Sequence, residues 1–194
     1  MREHINLLIA AVLLAVVSCA GSVSEEDKVR SLVGRYNSAL VTAYKEGDFD
    51  RLVKVADGEA LSKVDNAYQS YLKGPGIVLD AELLGLKFKE FSLGTGEDES
   101  GINVEWHEDE KEWREVYLYK ETFVETEERW NYRWVDYRTG ETASPVVTAR
   151  YGVAYTVDRV DGALKVVSAK ITSEEVEKEK GAWKEGKDPV AVGH

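Results

Sequence analysis

The 194-residue sequence has very little cysteine, and Cys19 is its single instance. One cysteine excludes an internal disulfide and a cysteine-rich zinc site. The chain also lacks a glycine-rich phosphate loop, a Ser-His-Asp nucleophile motif and a zinc motif. We therefore expect no cofactor and no metal.

Basic residues are also few, with 25 Lys and Arg against 36 Asp and Glu, and the formal net charge is -11. Nucleic acids and anionic lipid headgroups are bound by clustered positive charge. We therefore expect no nucleic-acid partner. The 43% hydrophobic and 10% aromatic content is enough for one buried core. One folded domain is expected.

The first 21 residues have the three parts of a secretory signal. Arg2 gives the first segment a positive charge. An apolar run of 11 residues then extends from Leu7 to Val17, and the small residues Ser18-Cys19-Ala20-Gly21 follow. A transmembrane helix needs about 20 apolar residues. The run is therefore too short to span a membrane and predicts a cleaved leader.

The stretch Val16-Val17-Ser18-Cys19 resembles the bacterial lipobox. The resemblance implies that residues 1–18 are a lipoprotein signal peptide, that Cys19 carries the lipid, and that residues 19–24 form a tether. Two or more acyl chains anchor a protein stably. We expect a cell-envelope protein that is lipid-anchored and faces outside the cytoplasm, in the outer membrane if the host is Gram-negative. The alternative is cleavage by an ordinary signal peptidase.

Hydrophobic periodicity divides the rest of the chain into helices and then strands. A stripe from Val29 to Tyr44 has helical spacing, with Ser24 as the N-cap and Gly47 at the end. A short helix is predicted from Asp48 to Ala56, and a third around Leu61–Leu72. Strands with alternating apolar residues are then predicted at 84–88, 102–106, 113–125, 130–134, 147–157 and 164–168. Asp161-Gly162 predicts a tight hairpin.

Two sequence stretches resemble NTF2-like domains: RWNYRWVDYRTGET, and ARYGVAYTVDRVDGALKVVSAKI. The leading helix VRSLVGRYNSALVTAYKEGDFDRLVKVADGEAL is also similar to that family, and the ARC6-like IMS domain is a related version. The resemblance covers residues 25–173. It implies an α+β fold in which N-terminal helices pack on a strongly curved antiparallel sheet, the NTF2-like or cystatin-like cone. Residues 174–194 are interpreted as a charged tail, with a frayed helix at 174–180.

Aromatic residues are the candidate lining of a pocket inside this cone. They are Tyr36, Tyr44, Tyr68, Trp130, Tyr132, Trp134, Tyr151 and Tyr155. A catalytic acid or base is less evident, with Asp80 and Asp136 as the candidates on strands. We interpret Glu121, Glu125, Glu127 and Glu128 as the water-facing side of a strand. His107, with acidic neighbours, is interpreted as part of a solvated hairpin tip.

These observations favour a lipid-anchored, non-catalytic envelope protein that binds a small apolar ligand or a protein partner. One alternative is a small cone-fold enzyme of the isomerase or dehydratase type. That alternative predicts a water-excluded cavity that holds a carboxylate or histidine with a strongly shifted pKa. A second alternative is a homodimerising assembly module.

Overall fold

The computed structural model describes residues 23–94, 101–107, 111–118 and 121–187. Two helices come first, α1 (Glu25–Glu46) and α2 (Gly58–Lys73). Six strands follow: β1 (Ile77–Ser92), β2 (Gly101–His107), β3 (Glu112–Leu118), β4 (Thr122–Asp136), β5 (Val146–Val160) and β6 (Ala163–Lys180). The fold is therefore α+β. The leader and Cys19 lie outside the described residues.

Local sequence signals set the limits of α1. The Ser24 hydroxyl accepts a hydrogen bond from the Asp27 backbone N–H at 3.0 Å, and three acidic residues occupy the first turn. Gly47 ends the helix with φ of 70°, and a Cβ at this position would overlap the Tyr68 hydroxyl. A side chain would therefore be strained and would also clash. The predicted limits of this helix are confirmed.

The main sheet has four antiparallel strands in the order β1-β4-β5-β6. The hairpin between β5 and β6 turns at Asp161 and Gly162, whose φ angles are 51° and 78°. Two consecutive positive φ angles are typical of the tight turn that Asp-Gly predicts. Strands β2 and β3 form a separate antiparallel pair, in which His107 is opposite Glu112.

The core lies between the helices and one face of the sheet. Its fully buried members include Leu32 and Val33 of α1, Val157 of β5 and Val166 of β6. Because this cluster joins residues far apart in sequence, both helices and the sheet share one hydrophobic interior. Within the described part of the chain, no helix is long and apolar enough to cross a membrane.

Three predictions about secondary structure were wrong. The segment after Asp48 forms successive turns up to residue 55 and not a helix. The strand predicted over 113–125 is divided between β3 and β4, and β4 continues without a break to Asp136. The stretch from Glu174 to Lys180 is strand, paired with the start of β5.

The segment Glu174–Lys180 forms a strand instead of the predicted helix because of backbone pairing and ion pairs with neighbouring strands. The Glu and Lys residues of Glu174–Lys180 have high helix propensity, but backbone pairing with β5 overrides it. Glu177 also receives ion pairs from Arg129 of β4 at 2.8 Å and from Arg150 of β5 at 2.7 Å. These contacts across the sheet extend β6 beyond the expected domain end at residue 173.

Candidate functional site

A cavity of about 530 Å³ opens between the two helices and the core-facing side of the sheet. Strands β1, β4, β5 and β6 all contribute lining residues, and so do both helices. On β4 the lining residues are Glu128, Trp130, Tyr132 and Trp134. Their spacing of two places them all on one face of the strand.

Seven of the eight aromatic residues proposed from the sequence line this cavity: Tyr36, Tyr44, Trp130, Tyr132, Trp134, Tyr151 and Tyr155. Tyr71 of α2 also lines it, with its ring centroid 4.3 Å from that of Trp134. Tyr68 is placed elsewhere. It is buried and packs edge-on against Phe49, with 5.7 Å between the ring centroids.

Glu128 is the residue that the sequence interpretation misplaced. It was assigned to the water-facing side of β4, but its side chain is 2% exposed and lines the cavity. Alternation along β4 would have predicted this burial. Glu128 is an even number of residues from buried Val124 and from Trp130, so all three side chains lie on the same face of the strand. A carboxylate therefore lies among the aromatic side chains.

Four neutral donors surround the Glu128 carboxylate. Its Oε1 accepts hydrogen bonds from Tyr155 Oη at 2.5 Å, Asn37 Nδ2 at 2.9 Å and Thr126 Oγ1 at 3.1 Å. Its Oε2 accepts one from Trp130 Nε1 at 2.9 Å. Hydrogen bonds to a charged acceptor are stronger than neutral ones, so this network offsets part of the cost of burying the carboxylate.

The network connects distant parts of the chain. Asn37 is on α1, Glu128 on β4 and Tyr155 on β5, and Tyr155 Oη also lies 3.1 Å from Asn37 Oδ1. Asn37 is itself 2% exposed, on the same helical face as Val33 and Tyr36. The polar cluster therefore ties the first helix to the centre of the sheet.

Three of the cavity tyrosines, Tyr36, Tyr151 and Tyr155, are held in their protonated form. Burial, and then the adjacent Glu128 carboxylate, raise the pKa of Tyr155 above its ordinary value. Burial is also the main cause that raises the pKa of Tyr36, and it raises the pKa of Tyr151 together with the hydrogen bond to Tyr132. Tyr151 and Tyr132 hydroxyls are 3.0 Å apart. Near neutral pH Tyr36, Tyr151 and Tyr155 are therefore hydrogen-bond donors and not bases.

The two aspartates proposed as catalytic candidates lie outside the cavity lining. Asp80 forms ion pairs with Lys45 at 2.8 Å and Arg133 at 2.9 Å, and these partners lower its pKa. Asp136 pairs with Lys187 at 2.8 Å and accepts two backbone hydrogen bonds from the following turn. Both carboxyl groups are therefore occupied by structural partners.

His107 is described here through its backbone, as the last residue of β2. Residues 108–110 of the expected hairpin tip lie outside the described residues. Over the part of the chain that is described, no group of three or more His, Cys, Asp or Glu side chains could hold a metal ion.

Comparisons with known proteins identify a shared fold. No family model matches the chain, and no curated protein sequence matches it. A crystal structure of the intermembrane space region of the chloroplast protein ARC6 superposes with a TM-score of 0.54 at 14% identity. The match covers 76% of this chain and 96% of the other. At this identity the likeness shows a related fold.

Proposed function

We propose that this protein is a lipid-anchored cell-envelope protein whose domain binds a small, mainly apolar ligand in the aromatic cavity without catalysing a reaction. The observation that carries the proposal is the cavity itself. Its volume of about 530 Å³ is within the usual range of small-molecule sites, which are lined mainly by apolar and aromatic side chains with a few placed polar groups.

The hydrogen bonds of the polar cluster favour binding over catalysis. An isomerase or dehydratase needs a base together with a donor aimed at the atom where charge develops. Here the Tyr155 hydroxyl and the Asn37 amide both donate to Glu128 itself. The Tyr132 and Tyr151 hydroxyls contact each other. The described donors are therefore engaged by Glu128 or by one another and are not directed at a reacting atom.

The cone-fold enzyme remains a second candidate because of one observation, the Glu128 carboxylate inside the cavity. As an enzyme of the isomerase type, the protein would use Glu128 to remove a proton from carbon beside a carbonyl. Deuterium exchange at that position of a cyclic ketone, measured by NMR, would then depend on Glu128. We expect the exchange rate to equal that of the buffer, both with the wild-type protein and with Glu128→Gln.

The proposed location is supported by two separate features. The lipobox-like stretch ending at Cys19 and the apolar leader indicate export and lipid attachment. The ARC6 region with the related fold is one from an intermembrane space. We further propose that the sheet and helices form an NTF2-like cone, which the stretches quoted above favour.

Lipid attachment is tested by growing a bacterial host that expresses the full chain with labelled palmitate. We expect incorporation into the wild-type protein, none into Cys19→Ser, and full incorporation into Ser22→Ala as the matched control. A wild-type protein that carries no label would contradict the anchoring proposal.

Ligand binding is tested with a neutral fluorescent probe, N-phenyl-1-naphthylamine, added to the full chain purified as Cys19→Ser. Ala81 lines the cavity, so adding Ala81→Trp fills it, whereas Leu84→Trp adds the same ring at an exposed position of β1. We expect Ala81→Trp to abolish probe binding and Leu84→Trp to preserve it. Equal probe binding by both variants would refute the cavity as the ligand site.

A further inference from the structure

The charge inside the cavity specifies more than an apolar ligand. Glu128 is 2% exposed, and in the described part of the chain no Lys or Arg forms an ion pair with it. Lys63 is the basic residue of the lining, but its side chain is 56% exposed and its Nζ lies 2.7 Å from Glu59. The buried carboxylate is thus balanced by neutral donors alone.

Hydrogen bonds from neutral donors stabilise a carboxylate but do not neutralise its negative charge. Oε2 accepts a single hydrogen bond, from Trp130, although a carboxylate oxygen can accept about two. The cavity therefore has both a negative charge and unused acceptor capacity at the same residue. An incoming anion would be repelled, and a neutral hydrocarbon would gain nothing from the charge.

The aromatic walls add to the same preference. Aromatic rings carry negative charge density on their faces and attract cations, most strongly organic ammonium groups that lose little hydration. Eight aromatic side chains line this one cavity, among them Trp130 and Tyr155 on either side of Glu128 in the hydrogen-bond network. A bare metal ion is a poor alternative, because hard cations take six or more oxygen ligands.

From this combination we infer that the ligand is an organic cation, a small ammonium group carried on an apolar body. The ammonium group lies near Glu128 and the rings, and the apolar body fills the rest of the cavity. The overall charge of -11 attracts a cationic ligand as well. This inference rests on the proposed binding function and names the chemical class of its ligand.

The test compares two ligands of the same shape. Benzyltrimethylammonium and its neutral carbon isostere neopentylbenzene differ by one nitrogen in place of one carbon. Each is titrated into the full chain purified as Cys19→Ser, and the fluorescence of Trp130 and Trp134 in the cavity is followed. We expect the cation to bind about tenfold more tightly than the isostere.

The outcomes separate this inference from the binding function beneath it. If the isostere binds as tightly as the cation, the cavity binds apolar ligands but the cation inference is overturned. If neither ligand binds and the neutral naphthylamine probe does not bind, both proposals are overturned. Both ligands are compared on the same Cys19→Ser protein, so the result does not depend on whether a cavity variant folds.

A second measurement assigns the preference to Glu128. Glu128→Gln removes the charge, and Trp130→Phe removes the indole N–H that would otherwise face the new amide. We expect the double variant to lose most of the preference for the cation, with only the part due to the aromatic rings left, whereas Trp130→Phe alone keeps the preference. Near-ultraviolet circular dichroism checks that both variants are folded. A preference in the double variant as large as that of Trp130→Phe alone would overturn the role of Glu128.

Discussion

Carboxylates are stabilised in two different ways in two regions of this molecule. In the cavity, Glu128 is surrounded by neutral donors from α1, from β5 and from its own strand β4. At the surface, Glu127, its neighbour on β4, pairs with Lys89 at 2.9 Å. Adjacent residues of one strand point to opposite faces, so a single position separates a buried network from an exposed ion pair. The comparison teaches that position in the sheet, and not residue type, decides what a glutamate contributes.

The largest effect is expected from removing the buried carboxylate. Glu128→Ala leaves the Asn37 and Trp130 donors without an acceptor and leaves the Tyr155 hydroxyl only Asn37 Oδ1, and the free energy of unfolding should fall by about 3 kcal/mol. Urea denaturation measures this loss. Glu127→Ala is the matched control and should leave the denaturation midpoint nearly unchanged. Similar denaturation midpoints for the two variants would contradict the claim that the buried Glu128 stabilises the fold more than the surface residue Glu127 does.

An intermediate effect is expected from removing one donor. Tyr155→Phe keeps the ring that packs edge-on against Tyr36 but deletes the hydroxyl that donates to Glu128. The loss should be about 2 kcal/mol, since hydrogen bonds to charged groups are the stronger class. Tyr151→Phe loses a contact with the half-buried Tyr132 hydroxyl and an exposed hydrogen bond to Glu174, which water replaces at little cost, and should lose about 1 kcal/mol or less. Thermal unfolding would rank the two variants, and the reverse order would contradict this account.

The last effect concerns pH at Asp136, a buried carboxyl outside the cavity. Lys187, with the backbone N–H groups of Thr139 and Arg138, holds the pKa of Asp136 well below its ordinary value. Because the folded-state pKa is the lower one, the stabilisation is fully present above the unfolded pKa of about 3.9. It is lost as the pH falls below that value toward the folded-state pKa.

Asp136→Asn tests that pH dependence. The variant should be less stable than the wild type by a constant amount between pH 5 and pH 8, and the difference should shrink as the pH falls below about 4. Asp65→Asn, at an exposed position on α2, is measured in parallel as the matched Asp-to-Asn control. A difference for Asp136→Asn that stays constant down to pH 2 would contradict the stated pairing with Lys187.

Several features were predictable from short stretches of sequence. Ser24 and Gly47 predicted the limits of α1, and Asp161-Gly162 predicted the hairpin, since caps and tight turns depend on local backbone chemistry. Seven aromatic positions around one cavity followed from their common faces. Tyr68 did not, because its helical face meets the turn at Gly47 and Phe49 and not the sheet.

Other features could not be predicted from short stretches of sequence. The stretch after Asp48 has helical spacing but forms turns, and the stretch after Glu174 has helix-forming residues but forms strand. In the second case the partner strand β5 decides the outcome, because its backbone hydrogen bonds and arginines are absent from any local window. The division between β3 and β4 likewise depends on which strands pair.

By itself the sequence determined that helices precede strands and that they share one core, because these features depend on periodicity and caps. Lipid attachment at Cys19 stays a prediction from a short motif. The tertiary structure alone decided that Glu128 lies inside the cavity with Asn37 and Tyr155. These residues are separated by up to 118 positions in the chain. Burial and hydrogen bonding between such distant residues arise only when the helix packs on the sheet, which gives an ordinary surface-type residue a buried charge and a proposed ligand.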